Sequence, residues 1–144
     1  MNKKAIITAG SRGIGAAIAS SLKEIGIDSI ATSKKDLDTS DLTSVKNFLS
    51  NNLETDILVL NTGGPPDIDF YNIKQEDFEK YHNQLFLSFC LMLQQIEVRD
   101  GGYIFLISSF NIKEPNEKLM LSNSYRIAFT SILKSLSKRL AKRN

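Results

Sequence analysis

The chain has 144 residues, 42% of them apolar and 24% charged, with a net charge of +2. That length holds one domain with its own hydrophobic core, and so small a charge gives no argument for a nucleic-acid partner. The single cysteine, Cys90, excludes an intrachain disulfide framework and suits a reducing compartment.

The basic start "MNKKAIIT" has too short an apolar run for a signal peptide and no cleavage signature. Its "KAIIT" (4–8) predicts a strand. "GIGAAIASSLKEIG" (13–26) predicts a helix with Ile14, Ile18, Leu22 and Ile25 on one stripe and Gly26 at its C-terminal cap. "DSIATS" (28–33) predicts a second strand. "DLTSVKNFLSNN" (41–52) predicts a short helix with Asp41 as N-cap. "DILVLN" (56–61) predicts a buried strand. A long helix is expected over about 75–98, with Phe78, Tyr81, Leu85, Phe89, Met92 and Ile96 at helical spacing. Its "LFLSFCLML" (85–93) is the most apolar stretch, far short of the roughly 20 residues of a membrane span, so a cytoplasmic protein is expected. "GYIFLIS" (102–108) predicts another strand. A last helix is expected over about 120–141, with Phe129, Ile132, Leu133, Leu136 and Leu140 inward. Strands alternating with helices argue for a parallel sheet covered on both faces, with ligands beyond the carboxyl ends of the strands.

The sharpest motif is "IITAGSRGIGAAIA" (6–19). Its glycines follow a predicted strand and open a predicted helix, as a dinucleotide-binding turn requires. Free N–H groups and the dipole at that helix start favour a pyrophosphate, and Gly13 and Gly15 would allow close backbone approach. The alternative is a tight turn with no ligand. Two further strand ends are polar or glycine-rich: "VLNTGGPP" (59–66) and "FLISSF" (105–110).

These three strand ends, in this order, resemble the short-chain dehydrogenase/reductase family. "TAGSRGIG" (8–15) is similar to the family's T-G-x-x-x-G-x-G loop, with Ala9 where the first glycine stands, and "LNTG" (60–63) occupies the N-N-A-G position. "TGGP" (62–65) and Leu121 to Arg126 look closest to a divergent subgroup resembling 3-oxoacyl-acyl-carrier-protein reductases. The resemblance runs from residue 4 to 141. It implies a Rossmann-type doubly wound parallel sheet in three layers, α/β/α, forming one dinucleotide-binding domain over 1–144 that stops after the active-site helix. It implies cofactor contacts at Thr8, Gly10, Ser11, Arg12, Gly13, Ile14, Gly15, Ser33, Lys34, Asp38, Asn61, Thr62, Gly63 and Arg126. The cofactor expected is NADP(H) rather than NAD(H), since Arg12, Ser33, Lys34 and Lys35 suit a 2′-phosphate. The substrate implied is a small carbonyl or acyl compound.

The catalytic set departs from the family. Ser109 matches its serine, but Ser122 stands in the tyrosine place, Arg126 in the lysine place, and Leu85, next to Asn83 and Gln84, where the helix asparagine belongs. A serine is a far weaker acid than a tyrosine, and arginine does not give up its proton. Tyr125 is either a stand-in acid or a packing residue. The protein is accordingly an oxidoreductase with an altered tetrad or a non-catalytic dinucleotide-binding relative. "SKKDLDTSD" (33–41) replaces what is usually a full helix and strand, leaving a stub of strand at Asp36 to Asp38. The chain is either a fragment or a naturally short member. A homodimer or homotetramer through the two long helices is expected. No metal site is expected, because His82 has no cysteine or carboxylate partners at ligand spacing. The basic end, with Arg126, Lys134, Lys138, Arg139, Lys142 and Arg143, suits the negative end of a helix dipole.

Overall fold

The computed structural model describes residues 3–143, and the side chain of Arg143 lies outside that description. Four strands, β1 (Lys4–Ile7), β2 (Asp28–Ala31), β3 (Glu54–Leu60) and β4 (Glu97–Leu106), form one parallel sheet in the order β2-β1-β3-β4. The helices are α1 (Gly13–Glu24), α2 (Leu42–Leu49), α3 (Gln75–His82), α4 (Ser88–Gln95) and α5 (Met120–Leu140). Among the described residues no helix is long and apolar enough to cross a membrane.

Alternation along the strands divides the core. Ala5, Ile7, Ile57 and Val59 face α1 and pack with Ile18, Ala19 and Leu22. Ile6, Leu58 and Leu60 face the other way, onto Val45 and Leu49 of α2, Phe89 and Met92 of α4, and Phe129 of α5. The result is a three-layer, Rossmann-type α/β/α arrangement.

Local signals account for most element ends. The Asp41 carboxylate accepts the Thr43 N–H at 2.8 Å and starts α2. At the end of α1, Gly26 N–H reaches Lys23 O (3.0 Å) and Ile27 N–H reaches Leu22 O (2.9 Å). That pair of hydrogen bonds corrects the expected stripe. It swings Ile25 outward to 72% exposure and packs Ile27 beside Leu22 instead. Ile14, at the opposite end of the helix, is also exposed. Phe78, expected inward, lies at the surface as well.

Two other expectations are corrected. The long helix is interrupted by a π-helical turn at Asn83–Leu87 and ends at Gln95, where Glu97 N–H bonds Leu53 O and opens β4. β4 thus starts five residues before the predicted strand. Its register jumps from Thr55↔Val98 to Ile57↔Tyr103, and the excess residues loop out through Gly101. The stub of strand at Asp36 to Asp38 is instead a turn, in which Leu37 drops into the main core.

At the amino end of the sheet, Arg99 donates to both Glu54 oxygens (2.9 and 2.8 Å) and to Asp56 (2.9 Å). The arginine hydrogen bonds hold Glu54 below its usual pKa, and the Lys4 N–H followed by Arg99 does the same for Asp56. Carboxylates with lowered folded-state pKa values stabilise the fold above their ordinary values near 4, and the contribution vanishes as pH falls through the folded values. Arg99→Ala is therefore expected to lower stability at neutral pH modestly, as for exposed ion pairs. Stability below the folded pKa values should stay unchanged, so that the acid limb of a stability–pH profile flattens below about pH 4. Phe89 and Phe129 meet edge to face at 5.2 Å, both buried, across the α4–α5 contact. Phe129→Ala is expected to cost about 3–5 kcal/mol, read as a lower urea midpoint.

Candidate functional site

Because all four strands run parallel, their carboxyl ends share one edge. Three loops meet there: 8–15 after β1, 61–66 after β3, and 107–112 after β4. Thr8 is fully buried and locks the first two together. Asn61 N–H donates to its Oγ1 (2.8 Å), and the Thr8 hydroxyl donates back to the Asn61 carbonyl. The Asn61 side-chain amide donates to Ala9 O (3.3 Å). β2 joins through Thr32, whose hydroxyl accepts Ala9 N–H (3.2 Å) and whose carbonyl accepts Gly10 N–H (2.7 Å).

The loop glycines have distinct reasons. Gly13 sits at φ +56°, a left-handed conformation that lets the chain turn into α1. Gly15 is packed so closely that a Cβ would run into the Ala9 carbonyl and lie 3.0 Å from the Asn61 amide. Close approach thus applies to Gly15, whereas Gly13 has open space around it. Ala9 itself occupies φ +47°, where a side chain is strained. Arg12 precedes α1 without capping it, so the first-turn N–H groups carry no side-chain partner. Ser11, Arg12 and Ile14 are exposed around this helix start.

Beyond β2, Ser33 gives both its N–H (2.8 Å) and its hydroxyl (2.7 Å) to Asp36. The Ser33 hydroxyl is the main reason the Asp36 carboxyl sits below its usual pKa. Lys34 pairs with Asp38 at 3.3 Å. Burial opposes the charge of Asp38, but hydrogen bonds from Ser40 and Lys34 outweigh it and keep its pKa low. Arg12 has no ionic partner among the described residues.

Arg126 stands at the centre of the opposite side. Its Nε donates to Ser122 Oγ (3.1 Å), and its terminal nitrogens donate to Ile107 O (3.3 Å) and Thr62 O (3.4 Å). It therefore bridges the ends of β3 and β4 from α5. Burial lowers its pKa, and no carboxylate faces it among the described residues. Gly64 lies alongside, its Cβ direction 3.7 Å from both Arg126 Nη2 and Ser122 Oγ.

Ser109, two residues past Ile107, accepts Asn111 N–H at 3.2 Å and starts a short 3-10 turn. Tyr125 does not join this group. Its hydroxyl donates to Phe78 O (3.2 Å), its ring meets His82 edge to face, and burial raises its pKa. It belongs to the α3–α5 contact.

Leu85, expected in the helix-asparagine place, is buried against Tyr81 and Leu121. Its neighbour Gln84 points to the strand ends instead. The Gln84 amide donates to Gly63 O (2.8 Å) and to Thr62 Oγ1 (3.4 Å), and Thr62 Oγ1 also meets Thr39 Oγ1 at 3.0 Å. The π-helical turn holds Gln84 in this position. The one polar side chain directly before an apolar run was the available signal.

No protein-family model and no curated protein matches the chain. Solved structures do. A blue fluorescent protein from a metagenomic library, in complex with NADPH, superposes with a TM-score of 0.87 at 23% identity, covering 98% of this chain and 70% of its own. A short chain dehydrogenase family protein from Francisella tularensis gives 0.85 at 20% identity, covering 99% and 66%. The chain has the short-chain dehydrogenase/reductase fold. The promiscuous reductase LugOII, which catalyses keto-reduction at C1 during lugdunomycin biosynthesis, gives 0.87 at 21% identity, covering 98% and 72%. The chain thus spans about two thirds to three quarters of the length of these structures.

Opposite outcomes are expected at two loop positions. Ala9→Gly relieves a left-handed conformation worth about 1–2 kcal/mol but adds unfolded-state entropy, leaving a net gain below about 1 kcal/mol. Gly15→Ala forces a Cβ against a carbonyl and is expected to cost about 1–3 kcal/mol. Thermal unfolding of both variants checks the pair.

Proposed function

We propose that the protein is a nicotinamide-dinucleotide-dependent oxidoreductase of the short-chain type, acting on a carbonyl/alcohol pair of the 3-oxoacyl kind. The observation that carries this reading is the meeting, at one sheet edge, of an uncapped helix start and a carboxylate-free arginine. The first-turn N–H groups of α1 suit a pyrophosphate. Asn61, Thr62 and Gly63 lie at the same sheet edge, and Arg126 would hydrogen-bond the ribose next to the nicotinamide. When bound, the dinucleotide supplies or accepts the hydride. Ser109 would orient the substrate oxygen by donating its hydroxyl proton, which the bond accepted from the Asn111 N–H leaves available.

The proton is the weak point of the site. Ser122 is a hydroxyl far less acidic than a tyrosine, even with Arg126 donating to it, and Tyr125 is turned toward Phe78, so neither serves readily as the acid. Reduction of a carbonyl then draws its proton from water, and turnover is slow. That same arrangement favours a second reading, a dinucleotide-binding protein without catalysis. Cys90 and Leu91 of α4 pack against the core yet stay partly exposed, which supports the proposed self-association; a clean monomer by sedimentation at micromolar concentration overturns it.

Fluorescence titration is expected to show tighter binding of NADPH than NADH. Ser33 is committed to Asp36, so the 2′-phosphate would rest on Arg12, Lys34 and Lys35. Lys34→Glu should narrow the preference, and equal binding of both cofactors overturns it. In turnover assays with ketones and acyl thioesters, Ser109→Ala should reduce kcat strongly. Arg126→Ala should weaken cofactor binding by about tenfold, the loss of one charge-assisted hydrogen bond. Ser122→Ala should leave kcat close to wild type. Cofactor binding with no turnover on any substrate would select the non-catalytic reading.

A further inference from the structure

Arg126 is aimed by two carbonyls that are held in different ways. Ile107 O belongs to the sheet, because Ile107 N–H bonds Leu60 O at 3.0 Å. Thr62 O lies beyond the end of β3, in the run Thr62–Gly63–Gly64, where two glycines leave the backbone dihedrals free. No backbone–backbone hydrogen bond reaches this run among the described residues. Side chains hold it instead. A primary amide has two N–H donors, and Gln84 uses both here. Its Nε2 donates to Gly63 O at 2.8 Å and to Thr62 Oγ1 at 3.4 Å. The buried Thr39 hydroxyl also meets Thr62 Oγ1, at 3.0 Å. Arg126 Nη2 reaches Thr62 O at 3.4 Å, the long end for a hydrogen bond, so a small drift of the run would break the contact.

We propose that Gln84 and Thr62 are positioning residues for Arg126. Together with Thr39 they hold the Thr62 carbonyl where the guanidinium can bond it, and so keep Arg126 aimed at the nicotinamide end of a bound dinucleotide. No carboxylate faces Arg126 among the described residues, so neutral oxygens alone set its direction. Of its two carbonyl anchors, only Thr62 O depends on side chains for its place. The three side chains come from three segments: Thr39 from the turn after β2, Thr62 from the loop after β3, and Gln84 from the π-helical turn. Loss of the Thr62 hydroxyl or the Gln84 amide therefore loosens Arg126 without touching it. The ligand part of this inference rests on the dinucleotide reading above. The positioning itself is a property of the free protein.

The test follows the Arg126 Nε–H proton by NMR in the 144-residue chain without ligand. Thr62→Val keeps the branched shape and loses the hydroxyl. It should speed hydrogen exchange at Arg126 Nε about two- to tenfold, the worth of one hydrogen bond. Gln84→Met should do the same, and the double variant should add little, since both act through one carbonyl. Thr62→Ser restores the hydroxyl and should return the rate toward wild type. The backbone amides of Ile6 and Leu58, in the core strands, should exchange as before. In titrations, Thr62→Val and Gln84→Met should each bind NADPH about two- to tenfold more weakly. They should bind 2′,5′-ADP, which lacks the nicotinamide ribose, as tightly as wild type does. Unchanged Arg126 exchange in both variants overturns the proposal. So does faster exchange matched at Ile6 and Leu58, or an equal loss of affinity for NADPH and 2′,5′-ADP, since either means general loosening. A wild-type chain that binds neither compound refutes the dinucleotide reading, and Arg126 exchange then decides the positioning by itself.

Discussion

Everything at the carboxyl edge depends on the bonds between Thr8 and Asn61. The hydroxyl of one fully buried threonine serves the backbone N–H and carbonyl of the residue that ends β3. Without it, the partly buried N–H and carbonyl of Asn61 would lose these partners. With it, the loops after β1 and β3 become one rigid piece. The Asn61 side chain then reaches Ala9 O, and Gly15 is pressed into the remaining space. The exposed start of α1 is thereby aimed over the strand ends rather than left to drift.

The second half of the edge is held by a cation instead of a hydroxyl. Arg126 ties Ile107 O and Thr62 O to α5, and Ser122 fixes its Nε. A half-buried guanidinium facing only neutral oxygens keeps its charge, because arginine does not release its proton in a protein. It can therefore orient a ligand and stabilise negative charge, including on the Ser122 oxygen to which it donates, but it cannot itself relay a proton.

The sheet is asymmetric in its covering. On the β2 side, Leu37 and α2 cover the inward-facing residues of one face. On the β4 side the edge is open, one face carries stacked aromatics and the other a groove. A parallel sheet is normally buried on both faces. The structures of the same fold are longer than this chain, which spans 66–72% of them. Among the described residues, burial is concentrated in the central strands β1 and β3, while β2 and β4 are exposed or half-buried along their length.

Local chemistry made much of this legible beforehand. Alternating short apolar runs and helical stripes marked the four strands and the helices around them. Asp41 and Gly26 marked two helix ends, and the glycine loop announced the turn from β1 into α1. These are properties of residues a few positions apart. The direction of individual side chains was not encoded that way. That Gln84 rather than Leu85 reaches the strand ends follows from a π-helical turn, which shifts helical phase without any sequence period to reveal it. That Tyr125 turns to Phe78, and Ser33 to Asp36, depends on which backbone carbonyl or carboxylate lies nearest in space. That Arg126 bridges two strands requires partners 19 and 64 residues away. The sequence determined the main elements, their order and the turn from β1 into α1, since short-range sterics and periodicity govern those. Only the tertiary structure decided which polar groups meet, because hydrogen bonds form between whatever donors and acceptors packing brings within about 3 Å.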